Sequence, residues 1–419
     1  MLRTLQIGHI TAFLEGGAGI AARRLNDSLR SKGISSKLFL GDFSGREDDA
    51  ICAINWDAGM CRQLLALLRR PGRYASIKLK KRYYLRGTTG YFSLPWRSLP
   101  TACGEDMLHC DVLHLHWVAR LIDTPSFFHS IPIDKPIVWT LHDMNPFTGG
   151  CHHSDDCGSF RTGCGSCPML RRQNRNDLSR RVFQAKRSVL RDRPIHIVAP
   201  SRWMENLARQ SPLAESFASI RTIYNGIELN KFVRVDSTAL RRSLGIPSNA
   251  LVVGYGAESL GNKRKGIDEY LAALHRIAKS QRVFGLLFGK DQDTVCDEGL
   301  NLRMLGYLSD SADVAEVYSA MDVFVSPTHA EILGQSILES LACQTPVVAF
   351  DVGGISESVS HGENGFLARL MDVESLAASV LWLARHPEDA RKMGLCGREK
   401  VTQQHSRSLA AVSQGSYFL

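Results

Sequence analysis

Short runs of adjacent apolar residues, not alternating ones, punctuate the chain. The first set covers 5–10, 36–40, 112–117, 137–141, 196–199 and 221–224, and the second covers 251–255, 283–288, 302–305, 323–325 and 347–350. Continuously apolar runs of this length are the mark of parallel strands covered on both faces. Between them lie stretches with helical periodicity, at 19–32, 265–280, 311–320 and 336–342. This alternation predicts an α/β protein with two doubly wound sheets, and ligands in such sheets collect at the carboxyl ends of the strands. The boundary between the two is expected near 225–244.

The length of 419 residues suits two domains of ordinary size. No run of about 18 apolar residues occurs, which argues against a membrane span. The opening MLRTLQIGHITAFLEGGAG reads as a strand entering a glycine turn, not as a signal peptide. A cytoplasmic protein is therefore expected, with its eleven cysteines mostly reduced. The net charge of +9, from 51 Lys+Arg against 42 Asp+Glu, favours anionic partners. Much of it falls in 62–87, where nine basic residues, among them Arg69, Arg70, Lys80 and Lys81, meet no acid and alternate with Tyr74, Tyr83 and Tyr84. That stretch suits either a solvated face or docking on an anionic lipid surface at the inner face of a membrane. No nucleic-acid motif accompanies the charge, so nucleic acid is not an expected partner.

The strongest chemical signal is SPTHAEILGQSILESLACQTPVVAFDVGGISE, residues 326–357. A strand ends at Ser326, a loop carries Glu331, and a helix starts near Gly334 and carries Glu339, with seven residues between the glutamates. The first N–H groups of such a helix favour a diphosphate or developing negative charge. Glu331 is placed to accept from sugar hydroxyls, and Glu339 to reach a ribose diol. A lone glutamate pair would more simply be a solvated surface. Here it is followed by a small-residue helix, Pro346 with a V-V-A strand, and Gly353, Gly354 and Glu357.

Together these offsets resemble the signature of glycosyltransferase family 4. Further matches are APSRW at 199–203, YNGIE at 224–228 with Phe232, Lys265-Gly266, and Asn364-Gly365 with Leu367. The resemblance covers most of the chain. It implies the GT-B fold: two Rossmann-like doubly wound domains facing a central cleft. On that basis 1–225 is an acceptor-side domain, 226–402 a nucleotide-sugar domain, and 403–419 a segment packing back on the first. It also implies a retaining transfer from a UDP- or GDP-sugar to a glycan or lipid-linked acceptor, of the polysaccharide-building kind.

The resemblance makes Lys265 the phosphate-binding lysine and places Leu333, Gly334 and Gly17 among the donor-binding positions. Where the family usually carries an Arg, this chain has Ala257. Lys263 or Arg264 is expected to supply that charge. His142, in WTLHD at 139–143, resembles the family histidine beside the donor sugar, and with Glu331 forms the expected catalytic pair. His114 and His116 read as core or acceptor-side residues. Gly16, Gly17 and Gly19 suit a turn that brings backbone N–H groups to the donor, but they lack a dinucleotide fingerprint. No carboxylate nucleophile can be assigned, so the resemblance implies front-face attack, with the leaving phosphate helping to deprotonate the acceptor. An inactive GT-B nucleotide-sugar-binding protein and a sugar-nucleotide epimerase are the alternatives.

Cys151, Cys157, Cys164 and Cys167 fall within CHHSDDCGSFRTGCGSC, residues 151–167. Four thiols with a terminal C-x2-C suit a structural zinc, and reduced packed thiols or disulfides suit the same spacing. His152, His153, Asp155 and Asp156 are alternate ligands. Similar inserts occur in polysaccharide-building members of the family. No cofactor is expected for catalysis.

Overall fold

The computed structural model describes residues 5–41, 50–54, 91–97 and 101–406. The basic run 62–87 and the segment 407–419 lie outside them. The chain divides into two compact units at Tyr224/Asn225.

The first unit holds a seven-stranded sheet: β1 (Gln6–Thr11), β2 (Ser35–Leu40), β3 (Ile51–Ala53), β4 (Val112–Leu115), β5 (Ile137–Thr140), β6 (Ile195–Ala199) and β7 (Ser219–Thr222), in the order β3-β2-β1-β4-β5-β6-β7. The second unit holds six strands: β8 (Leu251–Ser259), β9 (Val283–Lys290), β10 (Asn301–Met304), β11 (Val323–Ser326), β12 (Val347–Phe350) and β13 (Gly365–Ala368), in the order β10-β9-β8-β11-β12-β13. Every pairing within these sheets is parallel. Strand order reverses between β1 and β4 and again between β8 and β11, the positions where doubly wound sheets open a ligand crevice at their carboxyl ends.

Both sheets bury apolar side chains on both faces. Val253, Val325, Val348 and Phe350 are at most 1% exposed and pack with Tyr270, Leu274 and Ile277 from the helix Ile267–Ala278. In the first unit Ile7, Val138 and Val198 pack with Leu25 and Leu29 of the helix Gly16–Ser31.

The glycines at 16–19 are not a turn preceding a helix. The helix begins at Gly16 itself, which takes φ +74°, and a side chain at Gly19 would strike the Leu14 carbonyl at 2.4 Å. The tight glycine spacing lets the preceding loop lie against the first helical turn. At the other end, Gln403 and Gln404 close the helix Pro387–Gln404 of the second unit, and Ser406 bridges to Ile227. No helix among the described residues is long and apolar enough to cross a membrane.

Candidate active site

In the second unit two loops meet at the carboxyl ends of the adjacent strands β8 and β11. After β8 the chain makes a short 3-10 turn, Lys263–Lys265, in which the Asn262 side chain accepts from the Arg264 N–H at 3.2 Å. Gly266 then takes φ +80°, and a side chain there would meet the Pro327 carbonyl at 1.9 Å. Only glycine lets this turn lie flat on the loop after β11. Arg264 stitches the two loops together. Its carbonyl accepts from the His329 N–H at 2.8 Å and the Thr328 hydroxyl at 3.1 Å, and its guanidinium donates to the Ala330 carbonyl.

The stitching sets Lys265 against Glu331. The ammonium donates to Glu331 Oε2 at 2.5 Å, and the other carboxylate oxygen accepts from the Ile332 N–H at 3.1 Å. Burial pushes this carboxyl up, but the charges of Lys265 and then Arg264, with the hydrogen bonds, more than reverse that and lower its pKa to about 2. Glu331 is thus a fixed anion. Its backbone is held from behind, because Gly353 takes φ +62° and a side chain there would sit 1.7 Å from the Glu331 carbonyl.

Gly334, at φ +82°, caps the helix Gln335–Ala342, so the helix starts where the sequence places it. Leu333 is only 2% exposed, and its side chain belongs to the core, leaving its backbone as the part that can meet a ligand. Glu339 lies further along the helix, where its carboxylate accepts from the Tyr318 hydroxyl at 3.4 Å. Lys263 is largely exposed and pairs with Asp268 at 3.4 Å. Of the two cations suggested as the replacement for an Arg at Ala257, Arg264 is therefore the one whose charge is fixed beside Glu331.

In the first unit His142 follows β5 at its carboxyl end. Its Nε2 is 3.0 Å from His116 Nδ1, and His116 Nε2 is 3.1 Å from His9 Nδ1. His9 and His116 are buried, as is His114, which bonds the Thr140 hydroxyl at 2.8 Å. Burial lowers the pKa of His142 to about 4 and that of His9 to about 3, so these imidazoles are neutral. The sequence hints at this group only through the H-x-H spacing, which sets His114 on β4 and His116 just past its carboxyl end. His9 joins them because β1 pairs with β4 in a register that sets His9 beside His114.

The residue after His142 anchors its loop. Asp143 accepts from Trp117 Nε1 at 2.7 Å, from the Asn145 N–H at 2.8 Å and from His152 Nδ1 at 2.5 Å. His152 Nε2 bonds Ser93 at 2.8 Å. With both ring nitrogens used, His152 is a brace and not the alternate metal ligand its position suggested. Gly17 lies exposed in the first turn of its helix with open space where a side chain would be.

Cys151, Cys157, Cys164 and Cys167 line one cavity with Phe92 and Phe160. The Gly149 N–H points at Cys164 Sγ, 3.1 Å away. Burial pushes the Cys151 thiol up to about 12 and those of Cys164 and Cys167 up to about 11. Among the described residues, His9, His114 and His116 form a group whose three donor atoms lie within 4.8 Å of one another.

Residues 250–386 match the family model described as glycosyl transferases group 1. A protein assigned to colanic acid biosynthesis as a glycosyl transferase, WcaC of Escherichia coli (strain K12), is 25% identical over 350 residues, 80% of this chain and 80% of that one. The capsular polysaccharide biosynthesis glycosyltransferase CapM of Staphylococcus aureus is 28% identical over 196 residues, 44% of this chain and half of its own length. Among solved structures, the sucrose-phosphate synthase of Thermosynechococcus elongatus superposes with a TM-score of 0.66 at 21% identity, covering 99% of this chain and 98% of that one. Anabaena HepE in complex with UDP-glucose gives 0.66 at 17% identity, with 99% of each chain covered. These likenesses give the fold as GT-B.

Proposed function

Because the chain is a glycosyltransferase of the GT-B fold with a second unit of the group 1 kind, we propose that it transfers a sugar, with retention, from a UDP- or GDP-sugar to a glycan or lipid-linked acceptor during polysaccharide assembly. The observation that carries this reading is the Lys265–Glu331 pair, set by interlocked loops at the carboxyl ends of β8 and β11. A donor diphosphate would take up the Lys265 ammonium and leave the Glu331 carboxylate, already ionised, to accept from a sugar hydroxyl. Charge growing on the leaving diphosphate would then meet Lys265, the Arg264 guanidinium and the helix start at Gly334, groups fixed before the reaction begins. Glu339 would hold the ribose diol. HepE, a neighbour of the same fold, has been seen in complex with UDP-glucose, which supports the donor class. The names of WcaC and CapM support the polysaccharide setting. Docking of 62–87 on an anionic leaflet belongs to the same reading, since it would bring the enzyme to a lipid-linked acceptor.

In the front-face reaction the glycosidic C–O bond to the diphosphate breaks as the acceptor oxygen bonds to the anomeric carbon on the same side. The acceptor proton passes to the departing phosphate oxygen. Glu331 orients the sugar and forms no covalent bond. The test is incubation with a panel of UDP- and GDP-sugars, with the anomeric configuration of donor and product read by NMR coupling constants. A retained configuration is expected. An inverted one excludes the mechanism, and no turnover or thermal stabilisation with any member of the panel excludes the donor class.

We further propose that the four cysteines hold a structural zinc. Their common cavity and the N–H directed at Cys164 support this. Zn–S bonds are about 2.3 Å, and the metal would deprotonate thiols that burial otherwise keeps neutral. Metal analysis of gently purified protein should find about one zinc per chain, lost on Cys164→Ser. Metal-free active protein would refute it.

A further inference from the structure

Three histidines form an unbroken line of imidazoles: His9 Nδ1 to His116 Nε2 at 3.1 Å, and His116 Nδ1 to His142 Nε2 at 3.0 Å. Each hydrogen bond needs one N–H and one lone pair. A neutral ring has one of each, so all N–H groups in the line point the same way. Only two arrangements exist. In the first, His9 Nδ1–H donates to His116, His116 Nδ1–H donates to His142 Nε2, and His142 carries its remaining proton on Nδ1. In the second, every bond is reversed and the last proton sits on His9 Nε2.

The buried end decides between them. His9 is fully buried, and its Nε2 has no hydrogen-bond partner. The second arrangement would leave an orphaned N–H inside the sheet, which costs on the order of 1–3 kcal/mol. The first leaves only an unused lone pair, which folded proteins tolerate better. At the other end, His142 is half-buried and its Nδ1 is not among the buried, unpartnered atoms, so it can meet a ligand or water. The same contacts weigh against reading the His9, His114 and His116 cluster as a metal site. Both nitrogens of His116 are already engaged, and His114 Nε2 is held by Thr140.

We infer that His9 and His116 are positioning residues that lock His142 as its Nδ1–H tautomer, so that His142 donates a hydrogen bond to an oxygen of the sugar ligand and does not act as a base. The lock follows from the hydrogen-bond line alone. The identity of the acceptor oxygen rests on the proposed function. The arrangement also gives a use to imidazoles that are otherwise costly to bury, His9 in β1 and His116 just past β4. His114 completes it by stacking on His116, ring centres 4.2 Å apart, which fixes the plane of the central ring.

The test is 15N NMR of the full chain labelled on histidine, with His142 assigned by its loss in His142→Ala. The ring-nitrogen shifts should show His142 protonated at Nδ1 and bare at Nε2, the reverse of the tautomer that free imidazole side chains favour. His116→Phe should remove this lock and lower kcat by roughly tenfold or more with little change in donor KM, since one preorganised donor is misaligned. His116→Gln, whose amide can accept from His9 and donate to His142, should restore the Nδ1–H form and most of the activity. Wild-type His142 protonated at Nε2 overturns the inference without need of any variant. So does a stoichiometric transition metal lost in His9→Phe, or a folded His116→Phe protein with the tautomer unchanged. If the Nδ1–H form is found but His142→Ala turns over normally, the lock stands and the assignment of His142 to the sugar site fails instead.

Discussion

Glu331 shows how a single side chain can be prepared before its ligand arrives. Its pKa falls from 4.5 to about 2 against the opposing push of burial, so the folded chain binds this proton more weakly than the unfolded chain does. The stabilisation is therefore fully present above pH 4.5 and is lost as the pH falls toward 2. With the carboxyl about one-fifth exposed, the shift corresponds to roughly 2–3 kcal/mol at neutral pH. Glu331→Gln should lose about that much in urea unfolding at pH 7, because it also strands the half-buried Lys265 ammonium. The gap between wild type and variant should narrow steadily through the acid range and nearly close at its lower end. A gap that stays constant down to pH 2.5, or none at pH 7, would show that the pair contributes little. The fixed charges have a kinetic corollary. Neither Glu331 nor the neutral His142 titrates near pH 6.5, so an acid limb of activity there would have to come from elsewhere.

At the scale of elements, what the sequence reveals depends on how local the cause is. The strand at 347–350 and the helix starting at Gly334 emerge where the sequence puts them, because an apolar run and a glycine with positive φ are both written within a few residues. The Gly16–Gly19 run has the right residues and the wrong reading. A glycine cluster looks the same whether it turns the chain or lets a loop press on a helix, and only the Leu14 contact distinguishes them. Strand β13 was hidden because Gly365–Ala368 directly follows the turn residues His361, Gly362 and Asn364, which dominate the local pattern. The site divides in the same way. Lys265 and Glu331 are each legible from their motifs, but their 2.5 Å contact spans 66 residues and depends on Gly266 fitting against Pro327. The His9–His116–His142 line is less legible still, because it requires the register of β1 on β4. His152 was misassigned for a related reason. Its partner Asp143 comes from the loop after β5, outside the cysteine segment, and a histidine among cysteines looks like a ligand until both nitrogens are accounted for.

For the molecule as a whole, the chemistry is divided between the two units. The groups suited to a diphosphate, Lys265, Arg264 and the helix start at Gly334, all belong to the second unit, together with Glu331 and Glu339. His142 and the line behind it belong to the first. If His142 adds a sugar contact to the one proposed for Glu331, while the nucleotide is left to the second unit, its contribution can be measured separately on the intact protein. A ligand that binds only the native state stabilises it by RT ln(1 + [L]/Kd), about 2.7 kcal/mol at one hundred times Kd. The bare nucleoside diphosphate should therefore raise the melting temperature in wild type and in His142→Ala alike, and much less in Lys265→Ala. The matching nucleotide sugar should stabilise wild type beyond the bare diphosphate, and His142→Ala should lose part of that increment and none of the diphosphate's own effect. Equal losses of the bare diphosphate's effect in both variants would contradict this division, because a histidine of the first unit would then be needed for a ligand assigned wholly to the second. Removal of the increment by Lys265→Ala alone, with His142→Ala indistinguishable from wild type, would instead place all the sugar contacts on the second unit and leave His142 with a structural task.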